Sequence, residues 1–476
     1  MENHFKRTKI IATMGPSTQS KEILREMILQ GLDVCRVNFS HSNYDLITET
    51  IQNIRTLNKE LGTFVGILGD LQGPKLRIGI LKNGFAHLEK NQEIILTTKE
   101  CEGDAHKIYI NYPEFPKDVR KGEKVLLDDG KIHLEVVDTD YKEQVKCKVL
   151  SGGILSSKKG VNLPNTKISL PSLTMKDLRD LDFALEHHFD WIGLSFVRSV
   201  TDIVELKDII RHKGKTSRVV AKIEKPEALK EIDQIIQVTD AVMVARGDLG
   251  VELPMEQVPL LQKKIVEKCI KASKPVIIAT QMMESMIENY SPTRAEVNDV
   301  ANAVMDGADA VMLSAETSIG KYPVKVIEIM RKIITQVEEL DTIYYRHHAP
   351  ELKTTTYITD SICYTACVLA KEAQVKAIIT MTNSGYSAFK LASYRPKARI
   401  FVFTENHSLL TTLNLIWGVT GYYYDKYEST DQTINDLKEF LKNNHLVKPD
   451  DLVINIASMP IKEKGRTNTM KLSYIQ

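Results

Sequence analysis

The stretches 218-RVVAKIE-224 and 241-AVMVARGDLG-250 decide how this chain is read, because each is a short apolar run that ends in charge. That is the pattern of a buried parallel strand opening into a site at its carboxyl end. Strand side chains alternate with period two, so Lys222 and Glu224 leave the same side of the first run. The second run brings Asp248 to an equivalent depth one strand later. Two carboxylates and a lysine suit a hard divalent cation beside an anionic oxygen, since Mg2+ takes one or two carboxylates and leaves its other positions to water and phosphate. A buried ion pair at a strand end would use the same residues, so the remainder of the chain has to separate the two readings.

Working outward, six further apolar runs have the same form: KIIATMG from residue 9, VCRVNFS from 34, VGILGDLQG from 65, WIGLSFV from 191, PVIIATQ from 275 and GADAVMLSAET from 307. Helical periodicity separates them, for example at 21–30, where Gly31 is the stop, and at 44–61, where Gly62 is. Eight strand–helix units predict a (β/α)8 TIM barrel, whose sites lie at the carboxyl ends of the strands. Between about residues 77 and 170 the helical period disappears and short strands follow one another, with Asp128-Asp129-Gly130 as a hairpin turn. The expected organisation is a barrel formed by 1–73 and 171–345, a β-rich lid inserted at 74–170, and a C-terminal open α/β domain at 346–476. A single amphipathic helix is expected between Glu224 and Ala241.

Composition limits the function. With 63 basic and 62 acidic side chains, no global field would draw nucleic acid or an anionic membrane, so any anion site is local. There is no apolar run of the roughly 18 residues a membrane span needs and no signal-peptide core, which reads as cytoplasmic. The six cysteines, at 35, 101, 147, 269, 363 and 367, are scattered without a C-x-x-C, so no zinc site or disulfide framework is expected. The pairs His187-His188 and His347-His348 read as surface residues.

The barrel rule gathers scattered polar residues into one constellation: Arg36, Asn38, Ser40, Asp70, Ser195, Arg198, Lys222, Glu224, Asp248, Thr280, Ser314 and Glu316. Polar residues at the same end of nearly every strand are hard to explain as packing. Cations, a divalent metal and a lysine-bearing lid loop, SSKKG at 156–160, suit phosphoryl transfer, which needs positioning and charge neutralisation more than covalent chemistry. The common nucleotide loops are missing: there is no G-x-G-x-x-G, and Gly320-Lys321 lacks the remainder of a P-loop. In the last domain Thr382-Asn383-Ser384-Gly385 stands between a strand and a helix, where it serves either as an N-cap or as a phosphate loop.

Taken together, RTKIIATMGPST, RVNFSH, LQGPKLR, KKGVNLP, VVAKIEKPEAL, MVARGDLGVELP, ATQMMESM, TRAEVNDVANAV and LSAETSIGKYP resemble the pyruvate kinases, in order and over nearly the whole chain. The resemblance implies phosphoryl transfer from phosphoenolpyruvate to ADP, giving pyruvate and ATP. It implies Lys222 as transition-state stabiliser, Mg2+ (or Mn2+) on Glu224 and Asp248, and Arg36 on the phosphate. Gly247, Asp248 and Thr280 would receive the substrate, and Asn38, Phe39, Ser40, His41, Arg77 and Lys159 the nucleotide. Many members bind K+ through the counterparts of Asn38, Ser40, Asp70 and the carbonyl of Leu71, with a glutamate where this chain has Lys75. The Lys75 ammonium is expected to replace that ion and give activity without K+. Thr382, Asn383, Ser384, Gly385 and Ser387 match the family's effector phosphate loop, and Lys462, Lys464 and Arg466 keep the later loop basic. A sugar phosphate or nucleotide monophosphate effector and a homotetramer are implied by the resemblance alone. The competing readings are another phosphoenolpyruvate or enolate barrel, and an inactive sensor of phosphorylated metabolites.

Overall fold

The computed structural model describes residues 5–41, 43–164, 166–351, 354–426, 429–459 and 465–476, with His41 described by its backbone alone. Eight parallel strands close a barrel: β1 (Lys9–Thr13), β2 (Val34–Asn38), β3 (Gly66–Asp70), β4 (Trp191–Leu194), β5 (Arg218–Ile223), β6 (Ala241–Ala245), β7 (Val276–Ala279) and β8 (Ala310–Leu313). Each strand pairs with its sequence neighbours, and β1 pairs with β8 to close the ring. The insertion lies between β3 and β4. In register, Asn38 stands opposite Asp70 and Lys222 opposite Met243, so the carboxyl ends rise together.

Period two sorts the strand side chains into two cores. Ile10, Val219, Val242, Ile278 and Leu313 point outward and pack beneath the helices. Ile11, Val34, Leu68, Trp191, Val220, Met243, Ile277 and Met312 belong to a second cluster, which runs on into the C-terminal domain through Cys363, Leu391, Leu409, Leu413 and Ile416. Lys222 on β5 and Glu224 just past its end lie two and four residues beyond Val220, which is how an apolar filling gives way to a charged rim.

The helices follow their end signals. Tyr44–Leu61 is capped by Asn43 and released by Gly62 at φ 65°. Arg294–Asp306 carries a Thr293/Glu296 capping box and stops at Gly307. The single helix expected between Glu224 and Ala241 is two, Pro226–Lys230 and Ile232–Val238. Glu231, at φ −110°, breaks the run, and its carboxylate accepts from Val200 N instead of capping the second helix; Ala228, Ile232, Ile235 and Ile236 stay buried across the kink.

The lid is a six-stranded sheet in the order Val161–Asn162, Lys124–Leu127, Ile132–Thr139, Gln144–Ser151, Glu93–Thr97, Lys107–Tyr109, with a small ribbon of Phe85–Leu88 and Gly153–Ser156. The expected hairpin turn is present: Asp128 and Asp129 have φ of 50° and 54°, the left-handed conformation such turns demand and acidic residues tolerate. Gly73, at φ 67°, starts the crossing into the lid and donates its N–H to Asp177. On the return crossing Arg198 donates to the carbonyls of Ile168 and Leu170.

The C-terminal sheet runs Val419–Tyr423, Arg399–Thr404, Ala377–Met381, Leu452–Ala457 and Thr469–Tyr474. Its last strand is antiparallel and was not expected. The domain is fastened to the amino-terminal end of the barrel. Arg395, 2% exposed, donates to Asp309, to Gly307 O and to Ala392 O, and lies 4.9 Å from the Trp417 ring. Lys9 donates to Val419 O at 2.9 Å, and Thr411 bonds to Asp190.

The expectation of surface histidines fails for one of the two pairs. His347 and His348 are half-buried among Tyr345, Tyr364 and Tyr394, and burial holds both imidazoles below their ordinary pKa. Cys363 and Cys367 form part of the same buried helix face. Among the described residues no helix is long and apolar enough to cross a membrane.

Candidate active site

The carboxyl ends of the strands bring Lys222 into a nest of acceptors. Its ammonium lies 3.0 Å from Asp70 Oδ1, 3.0 Å from Glu224 Oε1 and 2.7 Å from Ser195 Oγ. Burial alone would push Lys222 toward neutrality, but Asp70 and Glu224 outweigh it and hold its pKa above the ordinary lysine value. Asp70 is held below the usual carboxylate range: burial opposes its charge, and Lys222 with Arg36 more than compensates. Glu224 moves the other way. It is buried beside Asp248, and the share of Lys222 it receives does not offset those two effects.

Arg36 grips Asp70 through Nε at 2.8 Å and Nη2 at 2.6 Å, and its Nη1 donates to Thr13 Oγ1, which passes the bond to Leu313 O. Thr13 sits on β1 and ties β2 to β8 through this chain. Glu224 Oε2 accepts from Phe196 N. No hydrogen-bond partner for the Asp248 carboxylate is found among the described residues, and Asp248 lines a small cavity with Lys75, Phe196 and Lys225.

Thr280 has φ 71°, an outlying conformation for a β-branched residue. It is pinned there: Gly247 N donates to Thr280 Oγ1 at 2.7 Å, and Arg246 Nη2 donates to Thr280 O at 2.7 Å. Arg246 in turn holds Asp299 in a two-pronged pair, each prong 2.7 Å. Arg246, Asp299 and Thr13 were not singled out in the sequence. Arg246 sits directly before Gly247, but its partner is 53 residues away and has no local signal.

The monovalent-cation positions are engaged by protein donors. Asn38 Oδ1 accepts from Ser40 N, Leu71 O from Ser195 Oγ, and Asp70 takes Arg36 and Lys222. Lys75 is bonded to none of them; it lines the cleft with Asp129 and Asp248. Of the residues expected to meet the nucleotide, Phe39 has its ring wholly buried against Phe183 and Phe189, and its carbonyl accepts from Lys176 Nζ at 2.6 Å. The His41 side chain lies outside the described residues. Arg77 and Lys159 are on the lid, bonded to Lys158 O and Asp128 respectively.

In the last domain, Thr382, Asn383, Ser384 and Ser387 line a cavity of about 520 Å³ with Arg466. Gly385, at φ 85°, turns the chain into the helix Tyr386–Ser393 and donates to Thr382 Oγ1. The Ser387 hydroxyl is buried and paired with Thr380 Oγ1, so it supports the loop from below. Lys462 and Lys464 lie outside the described residues.

A family profile described as "Pyruvate kinase, barrel domain" matches residues 5–327. The chain belongs to the pyruvate kinase family. It is therefore an enzyme, a phosphotransferase of the kinase type. A second pyruvate kinase profile, "alpha/beta domain", matches residues 360–473. The pyruvate kinase of Mycobacterium tuberculosis is 40% identical over 474 residues, covering 99% of this chain and 98% of that one. That of Geobacillus stearothermophilus is 40% identical over 476 residues, 99% of this chain and 80% of its own. Among solved structures, a pyruvate kinase from Cryptosporidium parvum superposes with a TM-score of 0.92 at 34% identity, over 99% of this chain and 96% of the other.

The donor set suits a pyruvate kinase's divalent metal. Among the described residues the Asp248 carboxylate oxygens have no hydrogen-bond partner, and Glu224, whose two oxygens take Lys222 and Phe196 N, lies close enough to Asp248 for the two charges to oppose each other. Few protein carboxylates, with room left for water and phosphate, is the arrangement Mg2+ prefers over a closed cage.

Proposed function

We propose that the cleft transfers the phosphoryl group of phosphoenolpyruvate to ADP, yielding pyruvate and ATP, with Mg2+ held by Glu224 and Asp248. The observation that carries the reading is Lys222, an ammonium at the strand ends with 11% of its side chain exposed and three acceptors already converged on it. In flight the phosphoryl group spreads charge over its oxygens, and a fixed cation in a poorly solvated site stabilises that charge without reorganising. Arg36, oriented by Asp70 and Thr13, holds the phosphate end of the substrate. Thr280 and the N–H groups of Gly247 and Asp248 receive its carboxylate, the substrate taking over the bond that Gly247 now gives Thr280. Bound Mg2+ would supply neutralisation of the negative charge on the anionic oxygens gathered in the cleft. The nucleotide lies between barrel and lid, against Asn38, Ser40, Arg77 and Lys159. The enolate is then protonated on carbon from water near Thr280.

The same reading includes activity without K+, since Lys75 offers a cleft-facing ammonium where a glutamate would need a counter-ion. Replacing Lys75 with Glu is expected to make turnover depend on K+; a variant equally fast with and without K+ would sink the idea. A phosphorylated effector, a sugar phosphate or nucleotide monophosphate, in the Thr382–Arg466 cavity, a homotetramer and a cytoplasmic setting complete the proposal. The decisive assay is the initial rate of pyruvate formation from phosphoenolpyruvate and ADP with Mg2+ in K+-free buffer, repeated with K+. No pyruvate in either buffer, with candidate effectors present, would leave the inactive sensor as the better reading.

A further inference from the structure

Asn162 lies on the lid strand Val161–Asn162, which pairs with Lys124–Leu127 of the lid hairpin. Its side-chain amide donates to Glu252 Oε1 at 2.8 Å, across the boundary between lid and barrel. Glu252 is the last residue of the helix Arg246–Glu252, whose second and third residues are Gly247 and Asp248. The carboxylate is buried, with 1% of its side chain exposed, and Oε1 also takes the buried Lys225 ammonium at 2.6 Å. Lys225 follows Glu224 directly. The other oxygen, Oε2, is buried and has no hydrogen-bond partner among the described residues.

Both bonds to this carboxylate therefore converge on one oxygen, and one of the two comes from the lid. A buried charge is costly unless its bonds are made, and losing one partner exposes that cost. This position of the lid is thus favoured by the bond it completes. The lid meets the same helix a second time at its hairpin turn, where a Cβ on Gly130 would stand 3.5 Å from Val251 Cγ1. Asn162, Lys225 and Asp248 line one small cavity with Lys75, so the contact forms part of the cleft wall.

We infer that Asn162 is a positioning residue that latches the lid, through Glu252 and Lys225, onto the helix bearing Asp248, and so sets Arg77 and Lys159 over the cleft. For its kinetic consequence the inference rests on the reaction proposed above. A neutral amide suits a latch that must open on every turnover: aspartate would repel Glu252, and lysine would add a second ion pair. One hydrogen bond to a charged acceptor corresponds to roughly 10- to 100-fold in the closed-to-open ratio.

The test uses the full chain as Asn162→Ala, Asn162→Asp and the double variant Asn162→Asp/Glu252→Gln, read by amide hydrogen exchange and by kinetics. Asn162→Ala is expected to speed exchange about tenfold in segments 124–136 and 157–163 while the barrel strands stay protected. Its KM for ADP is expected to rise about tenfold with kcat within about threefold. Asn162→Asp should lose more. The double variant restores one amide facing one carboxylate beside Lys225 and should return both readouts to within about threefold of the parent. Unchanged exchange and KM in Asn162→Ala would overturn the latch, as would a double variant no better than Asn162→Asp. Should the parent enzyme form no pyruvate, the reaction fails while the exchange data still decide the latch.

Discussion

Replacing Lys222 with Met is expected to lower the rate of pyruvate formation by about 10²–10³-fold or more, with the barrel still folded. Methionine keeps much of the apolar stem and removes the ammonium, with its charge and its hydrogen bond to Ser195. Asp70 would still hold Arg36, whose Nη1 bond to Thr13 is independent of Lys222. Glu224 would lose its ammonium but keep the Phe196 N–H. What disappears is the cation aimed at the migrating phosphoryl group, an interaction made fully only in the transition state, so the loss should fall on kcat more than on KM. Lys222→Arg is expected to recover little, since a planar fork cannot occupy the point between Asp70, Glu224 and Ser195 that a compact ammonium fills. The check is steady-state kinetics beside a thermal melt. Turnover near that of the parent in a folded variant would remove Lys222 from the chemistry.

Arg395→Met is expected to cost about 3–5 kcal/mol of stability, the range for breaking a buried pair by removing one partner. Asp309 would remain charged and buried, with its oxygens still accepting from Val276 N and Trp417 N but without a counter-ion. The carbonyls of Gly307 and Ala392 would each lose a donor. Arg395→Lys should fall between, because one ammonium cannot reach three acceptors that a guanidinium bridges. Adding Asp309→Asn to Arg395→Met should recover part of the loss by removing the stranded charge. Denaturant midpoints measure all three, and a loss below about 1 kcal/mol for Arg395→Met would show that other contacts hold the two domains together.

The sequence made the barrel legible wherever apolar runs ended in charge. Val219 to Glu224 states its own geometry, since period two alone places Val220, Lys222 and Glu224 on one side. What stayed hidden depends on closure of the ring. Thr13 meets Arg36, Arg246 meets Asp299 and Lys225 meets Glu252 only because the fold brings distant segments together, and no local pattern in the chain marks a pair of that kind. The strand Thr469–Tyr474 alternates polar and apolar residues, so its period was legible in the sequence even though it is an exposed edge of the sheet. Asp70 reads, by resemblance, as one of the positions where the Lys75 ammonium stands in for a monovalent cation; its two ion pairs, with Arg36 and Lys222, come from strands 34 residues and more away and have no local signal. The His347–His348 pair was misplaced for a simpler reason: imidazoles pack against tyrosine rings as readily as they face water.

The second apolar cluster has a consequence for traffic. Val220, Met243, Ile277 and Met312 fill the shaft of the barrel, and the C-terminal domain stoppers its lower end with Leu409, Leu413 and Ile416. Among the described residues the axis of the barrel offers no passage, so what reaches the strand ends arrives and leaves on the lid side, and whatever governs that side sets the pace for both.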